Sequence, residues 1–337
     1  MNARYWVELS GENLGLGRAE ATAVAGLLGG GAVEDNGVST NLAMFDLPSK
    51  DVATELARRL ALARRVIEEW PSDRVAERLR QAGRDGRSAV VRRLGHGSAP
   101  TRGALELALF RAYIEGGGRV DLASPERTFW VRLDEAGLRW GEEVAATDRR
   151  TLERRRLPKL PFRRPVALPP RLGRATVNLA RVRSGDRVVD PFLGTGALLA
   201  EACVLGASGV GVDSDAEMVR GAARNLEALH VAADELVVDD AAKAASRYPD
   251  GSFDALVTDP PYGRASTTGG ESPAELTYRA LTAWAPKISA RGRIAVVVPV
   301  GTEWNPVGWV LEHSVRDRVH ASLTREFRAY RRTAGAL

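Results

Sequence analysis

From residue 187 onward, short apolar runs alternate with longer stretches in which apolar positions recur at helical spacing. The runs predict strands at 188–189, 209–212, 236–238, 255–258 and 294–298, and the stretches predict helices at 197–205, 216–229 and 273–288. This alternation is typical of an α/β fold with a doubly wound parallel sheet. Ligands of such sheets bind beyond the carboxyl ends of the strands, so the loops there should carry the chemistry.

The first 147 residues show a mixed pattern that predicts two small α+β regions, 1–68 and 69–147. In the first region the pattern predicts strands at 5–9, 32–33 and 40–47 and helices at 16–28 and 51–68. In the second it predicts helices at 74–81 and 104–114 and strands at 89–94, 119–122 and 129–133. Neither region contains a cluster of His, Cys or paired carboxylates, so neither is expected to perform chemistry of its own.

Between Asp148 and Pro170 the composition changes to eight Arg or Lys, five Pro and two acidic residues in 23 positions. The prolines predict an extended linker, 148–170, that precedes a domain at 171–337. Two interpretations of its charge stay open: a solvated linker, or a strip that contacts phosphate groups. The second interpretation uses the outward-facing side chains of Arg154, Arg155, Arg156, Arg163 and Arg164.

Composition narrows the protein class. The 337 residues carry 48 basic and 43 acidic side chains, a net charge of +5, and all but four of the basic residues are Arg. No run approaches the roughly 18 apolar residues of a membrane-spanning helix. A single cysteine, Cys203, forms no internal disulfide and no thiolate metal cluster. We therefore expect a cytoplasmic protein with no membrane segment and no metal. The oligomeric state is not fixed by the sequence, and a monomer is favoured.

A glycine-rich turn follows the predicted strand 188–189. Its sequence is Asp190-Pro191-Phe192-Leu193-Gly194-Thr195-Gly196. Gly194 and Gly196 allow a sharp turn and a close approach to a ligand. Dinucleotide-binding proteins use a similar turn, but their third glycine is replaced here by Leu199. A carboxylate at Asp190 is unfavourable beside a pyrophosphate and favourable beside the ammonium group of a methionine moiety. The turn therefore favours S-adenosylmethionine as the ligand.

Two further acidic sites follow the next two predicted strands. Asp213 and Ser214 lie at the end of the second strand, where a carboxylate can accept both ribose hydroxyls of a nucleoside. Asp215 is better suited to cap the helix that follows. At the end of the third strand, Asp239 or Asp240 could accept a hydrogen bond from the adenine amino group, and of the two we prefer Asp240.

The segment Asp259-Pro260-Pro261-Tyr262-Gly263 closes the fourth predicted strand. An exocyclic amino group of a nucleobase is a poor nucleophile because its lone pair is delocalised into the ring. Acceptors on its two hydrogens favour the pyramidal geometry needed for attack on a sulfonium methyl, and the Asp259 carboxylate and the Pro260 carbonyl can supply both. Pro261 stiffens the loop, and Tyr262 offers a ring for base stacking. These residues predict an amino methyltransferase.

With these motifs the chain resembles the archaeal tRNA (guanine-10-N2)-methyltransferase family. The resemblance extends over nearly the whole chain. It is strongest at Val7-Glu8-Leu9-Ser10-Gly11-Glu12-Asn13, Leu168-Pro169-Pro170-Arg171, Asn178-Leu179-Ala180, 190–196 and 259–264. It implies a ferredoxin-like N-terminal region, a THUMP domain that holds the acceptor-stem end of tRNA, and a class I S-adenosylmethionine-dependent methyltransferase domain. It also implies mono- or dimethylation of guanine 10.

Alternative functions remain open at this point. Related THUMP enzymes methylate guanine 6 but usually carry Asn at the position of Asp259. Enzymes that act on adenine N6 or on a protein glutamine amide can use the same tetrapeptide. An RNA-binding protein with an inactive catalytic half is disfavoured by intact Asp190, Asp213 and Asp259. If the first half only grips RNA, a chain lacking 1–147 should still fold and bind S-adenosylmethionine.

Overall fold

The computed structural model describes residues 3–33, 41–94, 111–134, 137–156, 159–164, 167–262, 271–321 and 323–333. The chain divides into two compact units. The first unit comprises Met1–Leu14, Ala25–Arg59 and Ala63–Thr147, and the second comprises Gly15–Val24, Leu60–Leu62 and Asp148–Leu337. Two short N-terminal segments therefore belong to the second unit, a division that differs from the bounds expected from composition.

An eight-stranded sheet forms the framework of the first unit. Its strands are β1 (Ala3–Leu9), β2 (Gly31–Val33), β3 (Leu42–Leu47), β4 (Ala63–Trp70), β5 (Ser88–Arg93), β6 (Arg119–Val120), β7 (Arg127–Asp134) and β8 (Gly137–Ala146). They lie in the order β2-β3-β1-β4-β8-β7-β5-β6. Its helices include α2 (Lys50–Arg59) and α3 (Val75–Gly83), and residues 111–115 are also helical. Most of the predicted helix 104–114 lies outside the described residues.

Residues 51–68 form a helix only in their first half, so the prediction of one continuous helix is wrong. After α2 the chain turns at Leu60–Leu62 and continues as strand β4. Val66 and Ile67 are fully buried in a strand that pairs with β1 on one side and β8 on the other. Burial on a pleated surface favours such β-branched residues and overrides the helical spacing upstream. The sequence pattern also did not predict strand β8.

The second unit contains the predicted doubly wound sheet. Its strands are β9 (Arg187–Asp190), β10 (Ser208–Asp213), β11 (Glu235–Val238), β12 (Phe253–Thr258), β13 (Ile288–Pro299), β14 (Trp309–His320) and β15 (Leu323–Arg332). Its helices include α4 (Arg149–Arg154), α5 (Pro170–Leu179), α6 (Ala197–Val204), α7 (Ala216–Ala228) and α8 (Pro273–Trp284). The sheet order is β11-β10-β9-β12-β13-β15-β14, with parallel pairing from β11 to β13. The Rossmann-like α/β fold class is thus confirmed for this unit.

An antiparallel hairpin of β14 and β15 extends this sheet, and the sequence pattern did not predict it. Strand β15 pairs antiparallel to β13, with Arg325 opposite Pro299. Because β15 runs against the parallel strands, its first residues lie at the edge where those strands end. The start of this hairpin strand, and not its end, therefore lies at the edge expected to bind ligands.

Part of helix α1 (Leu14–Leu27) is integral to the second unit. Leu16, Ala19 and Ala23 share an apolar cluster with residues of the parallel sheet and of α5. Between them, the fully buried Glu20 accepts hydrogen bonds from the amides of Ala61 and Leu62, at 2.9 Å each. It also accepts one from Asn178 Nδ2 at 2.7 Å. The same bonds hold the turn that ends helix α2, since both amides are engaged by Glu20.

The segment 148–170 is not a freely extended linker. It begins with α4, and Leu160, Phe162 and Leu168 are buried. Arg155, expected to point outward, instead donates to Glu201 through Nε at 2.6 Å and Nη2 at 2.9 Å. Arg164 pairs with Glu217 at 2.5 Å and stacks over the Phe162 ring. Arg154, Arg156 and Arg163 are exposed, as expected. Pro158 and Pro165 lie outside the described residues.

Among the described residues, no helix is both long enough and apolar enough to cross a membrane.

Candidate active site

The carboxyl ends of β9 and β12 meet at the point where the strand order reverses, and a hydrogen bond joins them. Thr258 Oγ1 at the end of β12 donates to Asp190 Oδ1 at 2.7 Å, and the Phe192 amide donates to the same oxygen at 3.1 Å. Asp190 is only 1% exposed. Burial raises its pKa to about 7, against the lowering effect of these two bonds. Asp190 therefore links the glycine-rich turn to the strand that carries the predicted catalytic loop.

The glycine-rich turn has the conformation that its sequence requires. Gly194 and Gly196 adopt φ values of 51° and 80°, a left-handed region that favours glycine. A Cβ on Gly196 would also lie 3.1 Å from the Ala222 side chain. Leu193 N donates to the Val212 carbonyl at 2.8 Å, so the turn, with Pro191 and Phe192, folds over the end of β10. Helix α6 begins directly after it.

Asp213 fixes the turn from the neighbouring strand. Its Oδ2 accepts from the Gly194 amide at 2.9 Å, and its Oδ1 accepts from the Asp215 amide at 2.9 Å. Burial raises the pKa of this carboxyl. Asp215 caps helix α7 by accepting from Glu217 N at 2.7 Å, as the sequence predicted, and Ser214 is exposed. Each Asp213 oxygen keeps a second acceptor position, which is what a ribose diol needs.

Asp240 is engaged more heavily than the sequence indicated. Its two oxygens accept from Arg279 Nη1 at 2.7 Å and Nη2 at 3.0 Å, a bidentate ion pair with helix α8. The amides of Ala242 and Lys243 donate to the same carboxylate. Arg279 lowers the pKa of Asp240 to about 2. The adenine assignment made for Asp240 from the sequence stays a prediction, and Arg279 is the residue beside it that the sequence did not reveal.

Asp259 and Tyr262 meet at the carboxyl end of β12. Asp259 Oδ1 is buried and has no hydrogen-bond partner among the described residues. The Tyr262 hydroxyl hydrogen-bonds the carboxylate, and burial raises the pKa of Asp259 to about 7. Pro260 is buried and Pro261 partly buried, while Gly263 lies outside the described residues. A buried oxygen without a partner costs free energy in the fold and needs an explanation, and here it leaves an acceptor available to a ligand.

Arg325 is a charged member of this site that the sequence analysis missed. It is only 9% exposed, hydrogen-bonds the Tyr262 hydroxyl and lowers the pKa of Asp259 against the effect of burial. It lies on a strand that the apolar pattern did not predict. Its strand contains four arginines, so a basic side chain at this position gave no separate sequence signal.

Asn225 on α7 connects the glycine-rich turn to the segment 148–170. Its Nδ2 donates to the carbonyls of Thr195 and Phe162 at 3.0 Å each, and its Oδ1 accepts from the Phe162 amide at 2.9 Å. The Phe162 ring fills the space above Gly221, where a Cβ would come within 2.2 Å of it. The turn and the basic segment are therefore held by one buried side chain.

Comparison with known protein families identifies the domain that carries this edge of the sheet. Residues 159–305 match a family model described as RMKL-like, methyltransferase domain, of the UPF0020 type. The chain contains a methyltransferase domain. This implies S-adenosylmethionine as the methyl donor, and the acidic ends of β9 and β10 together with the positive-φ glycines fit such a ligand. The described residues contain no group of three or more His, Cys, Asp or Glu side chains arranged to hold a metal.

Two curated relatives carry the same activity in their names. The chain is 37% identical over 223 residues to the tRNA (guanine(10)-N2)-dimethyltransferase of Pyrococcus abyssi, covering 63% of this chain and 64% of that protein. It is 35% identical to the Methanothermobacter thermautotrophicus protein of that name, covering 52% of each. The chain thus matches less than two thirds of the length of either relative. The resemblance to these archaeal proteins inferred from the motifs is confirmed over the matched part of the chain, while its extension over nearly the whole chain and the THUMP domain stay predictions.

A solved structure aligns with the chain over nearly its whole length. TrmN from Thermus thermophilus aligns with a TM-score of 0.50 and 20% identity, covering 98% of this chain and 100% of that one. At this identity the match speaks for the fold alone. It supports the α/β methyltransferase architecture that the described elements show.

Proposed function

We propose that this chain transfers a methyl group from S-adenosylmethionine to the exocyclic N2 of guanine 10 in tRNA. The observation that carries the proposal is the buried Asp259 oxygen at the carboxyl end of β12, which has no hydrogen-bond partner among the described residues. The names of the relatives supply the substrate: they are guanine(10)-N2 dimethyltransferases. One or two methyl groups can be added by the same site, since the product of the first transfer retains one hydrogen on N2.

The residues of the site divide the task. When bound, S-adenosylmethionine supplies an electrophilic methyl group; Asp213 would hold its ribose and Asp190 would lie near its ammonium group. Asp259 Oδ1 and the Pro260 carbonyl would accept the two N2 hydrogens, which favours the pyramidal geometry of attack. As N2 gains the methyl group, the methyl–sulfur bond of the donor would break and leave S-adenosylhomocysteine, so N2 would become positively charged and have to release a proton. With a pKa of about 7, Asp259 can take that proton.

We propose further that the first unit and the segment 148–170 hold the tRNA. A paired guanine hides N2 in the minor groove, so the base must be extruded toward Tyr262, at a cost of a few kcal/mol. Contacts elsewhere must hold the RNA during this step. The ferredoxin-like and THUMP assignments for 1–68 and 69–147 belong to this proposal, and the exposed arginines of 148–170 support it.

Nucleoside analysis tests the function directly. The protein is incubated with unmodified tRNA transcript and labelled S-adenosylmethionine, and the digested nucleosides are examined by mass spectrometry. We expect N2-methylguanosine or N2,N2-dimethylguanosine that disappears when guanine 10 of the transcript is replaced by adenine. Label in N6-methyladenosine, at guanine 6, or in protein would instead support the other amino methyltransferases.

The basic segment gives a separate prediction. Changing Arg154, Arg156 and Arg163 together to Gln should weaken tRNA binding and flatten its salt dependence, by about 0.7–0.9 in log–log slope for each phosphate interaction that the change removes. Cofactor affinity should stay the same because these exposed side chains do not contact the glycine-rich turn. Filter binding at several salt concentrations measures the tRNA affinity and its slope, and calorimetry measures the cofactor affinity.

Arg291 serves as the control for this variant. It is exposed on β13, near the amino end of the strand and so at the edge of the sheet opposite the site. Arg291→Gln removes one positive charge without touching the segment 148–170. If both variants lose the same tRNA affinity per charge removed, the proposal that the segment 148–170 specifically contacts phosphate groups is wrong.

A further inference from the structure

Arg325 is a buried cation, and the ion pair that holds it lies within the β14–β15 hairpin. Its Nε and Nη2 both donate to Asp317 Oδ2, at 3.1 and 3.0 Å. Asp317 lies directly opposite it on β14. Burial of a guanidinium is costly unless its donors are matched, and this ion pair matches only one side of the group. The donors on the other side of the guanidinium therefore need partners elsewhere.

The other side of the Arg325 guanidinium faces the catalytic loop. The guanidinium donates a hydrogen bond to the Tyr262 hydroxyl, and that hydroxyl hydrogen-bonds the Asp259 carboxylate. Four side chains thus form one relay, in the order Asp317, Arg325, Tyr262 and Asp259. Each hydrogen bond strengthens its neighbours in a region of low dielectric.

The register of the sheet explains how the relay forms. Thr258, the last residue of β12, pairs with Val296 of β13, and Pro299 three residues later pairs with Arg325 of β15. Arg325 therefore lies level with the loop that begins at Asp259. Only an antiparallel strand can bring its first residues to this edge, so the added hairpin delivers a cation to the site.

We propose that Arg325, held by Asp317, is a positioning residue that fixes the Tyr262 ring and the Asp259 carboxylate for methyl transfer. The inference rests on the proposed function of the site. With its hydroxyl held between Arg325 and Asp259, Tyr262 presents a ring of fixed orientation to the target base. The carboxylate, held through the same hydroxyl, keeps Oδ1, which has no partner among the described residues, available to the incoming amino group.

The test compares Arg325→Gln with Arg325→Lys and with the double variant Asp317→Asn, Arg325→Gln. The double variant replaces the ion pair by neutral amides, so it leaves no buried charge unpaired. The matched control is Arg331→Gln. Arg331 lies on the same face of β15 and pairs with Glu312 of β14 at 3.4 Å, at the end of the strand far from the site.

Two readouts separate positioning from a structural role. The first is the pH dependence of kcat on tRNA, with KM for tRNA measured alongside. The second is an NMR titration of the Asp259 carboxyl carbon in the full chain, which needs neither substrate nor cofactor. Loss of a nearby cation raises the pKa of a carboxyl, so both curves should move to higher pH in the two variants that lack it.

We expect Arg325→Gln and the double variant to shift both midpoints upward by about 1 unit and to lower kcat near neutral pH at least tenfold. KM for tRNA should change less than about threefold, because Arg325 acts on the loop and not on the RNA. Arg325→Lys should keep the midpoints and lose part of kcat, and Arg331→Gln should match the parent.

Unshifted NMR midpoints in both cation-free variants would overturn the inference, whatever substrate the protein uses. A rise in KM with unchanged kcat would also overturn it and would make Arg325 an RNA contact. If the parent methylates no tRNA while the NMR midpoint still shifts, the proposed function fails and the electrostatic coupling of Arg325 to Asp259 stands.

Discussion

Asp259→Ala is expected to lower kcat for methyl transfer about 10²–10³-fold, the usual effect of removing one preorganised polar group from a reacting centre. The carboxylate acts on the nitrogen as it becomes pyramidal, so its loss raises the barrier without loosening earlier contacts. Affinities for S-adenosylmethionine and tRNA should stay within a few-fold. Single-turnover kinetics with labelled cofactor measure the step, and calorimetry measures the affinities.

Asp259→Asn is the informative companion. Its amide keeps a carbonyl acceptor but cannot ionise, so some activity should remain and kcat should become flat where the parent rises, near pH 7. The folding stability of the Asn variant is compared with that of the parent as a control. The Asp259 pKa is about 7 in the fold against 3.8 ordinarily, so the carboxyl stabilises the fold less as pH rises through this window. Above it the Asn variant should unfold no more easily than the parent. Turnover of Asp259→Ala near the parental rate would refute the mechanism.

A chain reduced to residues 148–337 is expected to lose its cooperative fold. The sequence alone suggested that this fragment would stand by itself. The second unit, however, includes Gly15–Val24 and Leu60–Leu62. Without them the apolar cluster that contains Leu179 loses the side chains that these two segments contribute to it. Asn178 Nδ2 also loses its acceptor, the Glu20 carboxylate. We expect insoluble protein or a broad transition without a heat-absorption peak in calorimetry.

A point variant in the full chain tests the same contacts within the second unit more finely. Glu20→Ala leaves three buried donors unmatched, at about 1–3 kcal/mol for each unsatisfied group, partly offset because a buried carboxylate is removed. Glu77→Ala on the exposed face of α3 is the control and should change the unfolding free energy by no more than about 0.5 kcal/mol. A soluble 148–337 fragment that unfolds cooperatively and binds S-adenosylmethionine would contradict this account.

The parallel half of the second unit could be predicted from the sequence because its signals are local. Apolar runs such as 255–258 end in residues with special backbone or charge, and the carboxyl ends of parallel strands converge. Asp190, Asp213 and Asp259 were found in this way, and the structure places all three at one edge. Their individual roles toward the cofactor and the base remain predictions.

What could not be predicted depends on contacts between distant segments. Arg325 belongs to a strand rich in arginine, and nothing within the strand indicates that it runs antiparallel to β13. Arg155 resembles its neighbours in sequence, yet only the fold brings Glu201 against it. Ala61 and Leu62 leave the helical spacing because Glu20, some forty positions earlier, binds their amides. In each case a contact with a segment distant in the sequence decides the outcome.

The packing of Phe162 against Gly221 carries an evolutionary consequence. A side chain at position 221 and an aromatic ring at position 162 cannot occupy the same space, since a Cβ at 221 would lie 2.2 Å from the ring. The two positions should therefore covary among relatives, with any residue larger than glycine at 221 accompanied by a smaller one at 162. Aligned sequences in which this pair is retained would identify the members whose basic segment docks on the helix that supports the glycine-rich turn.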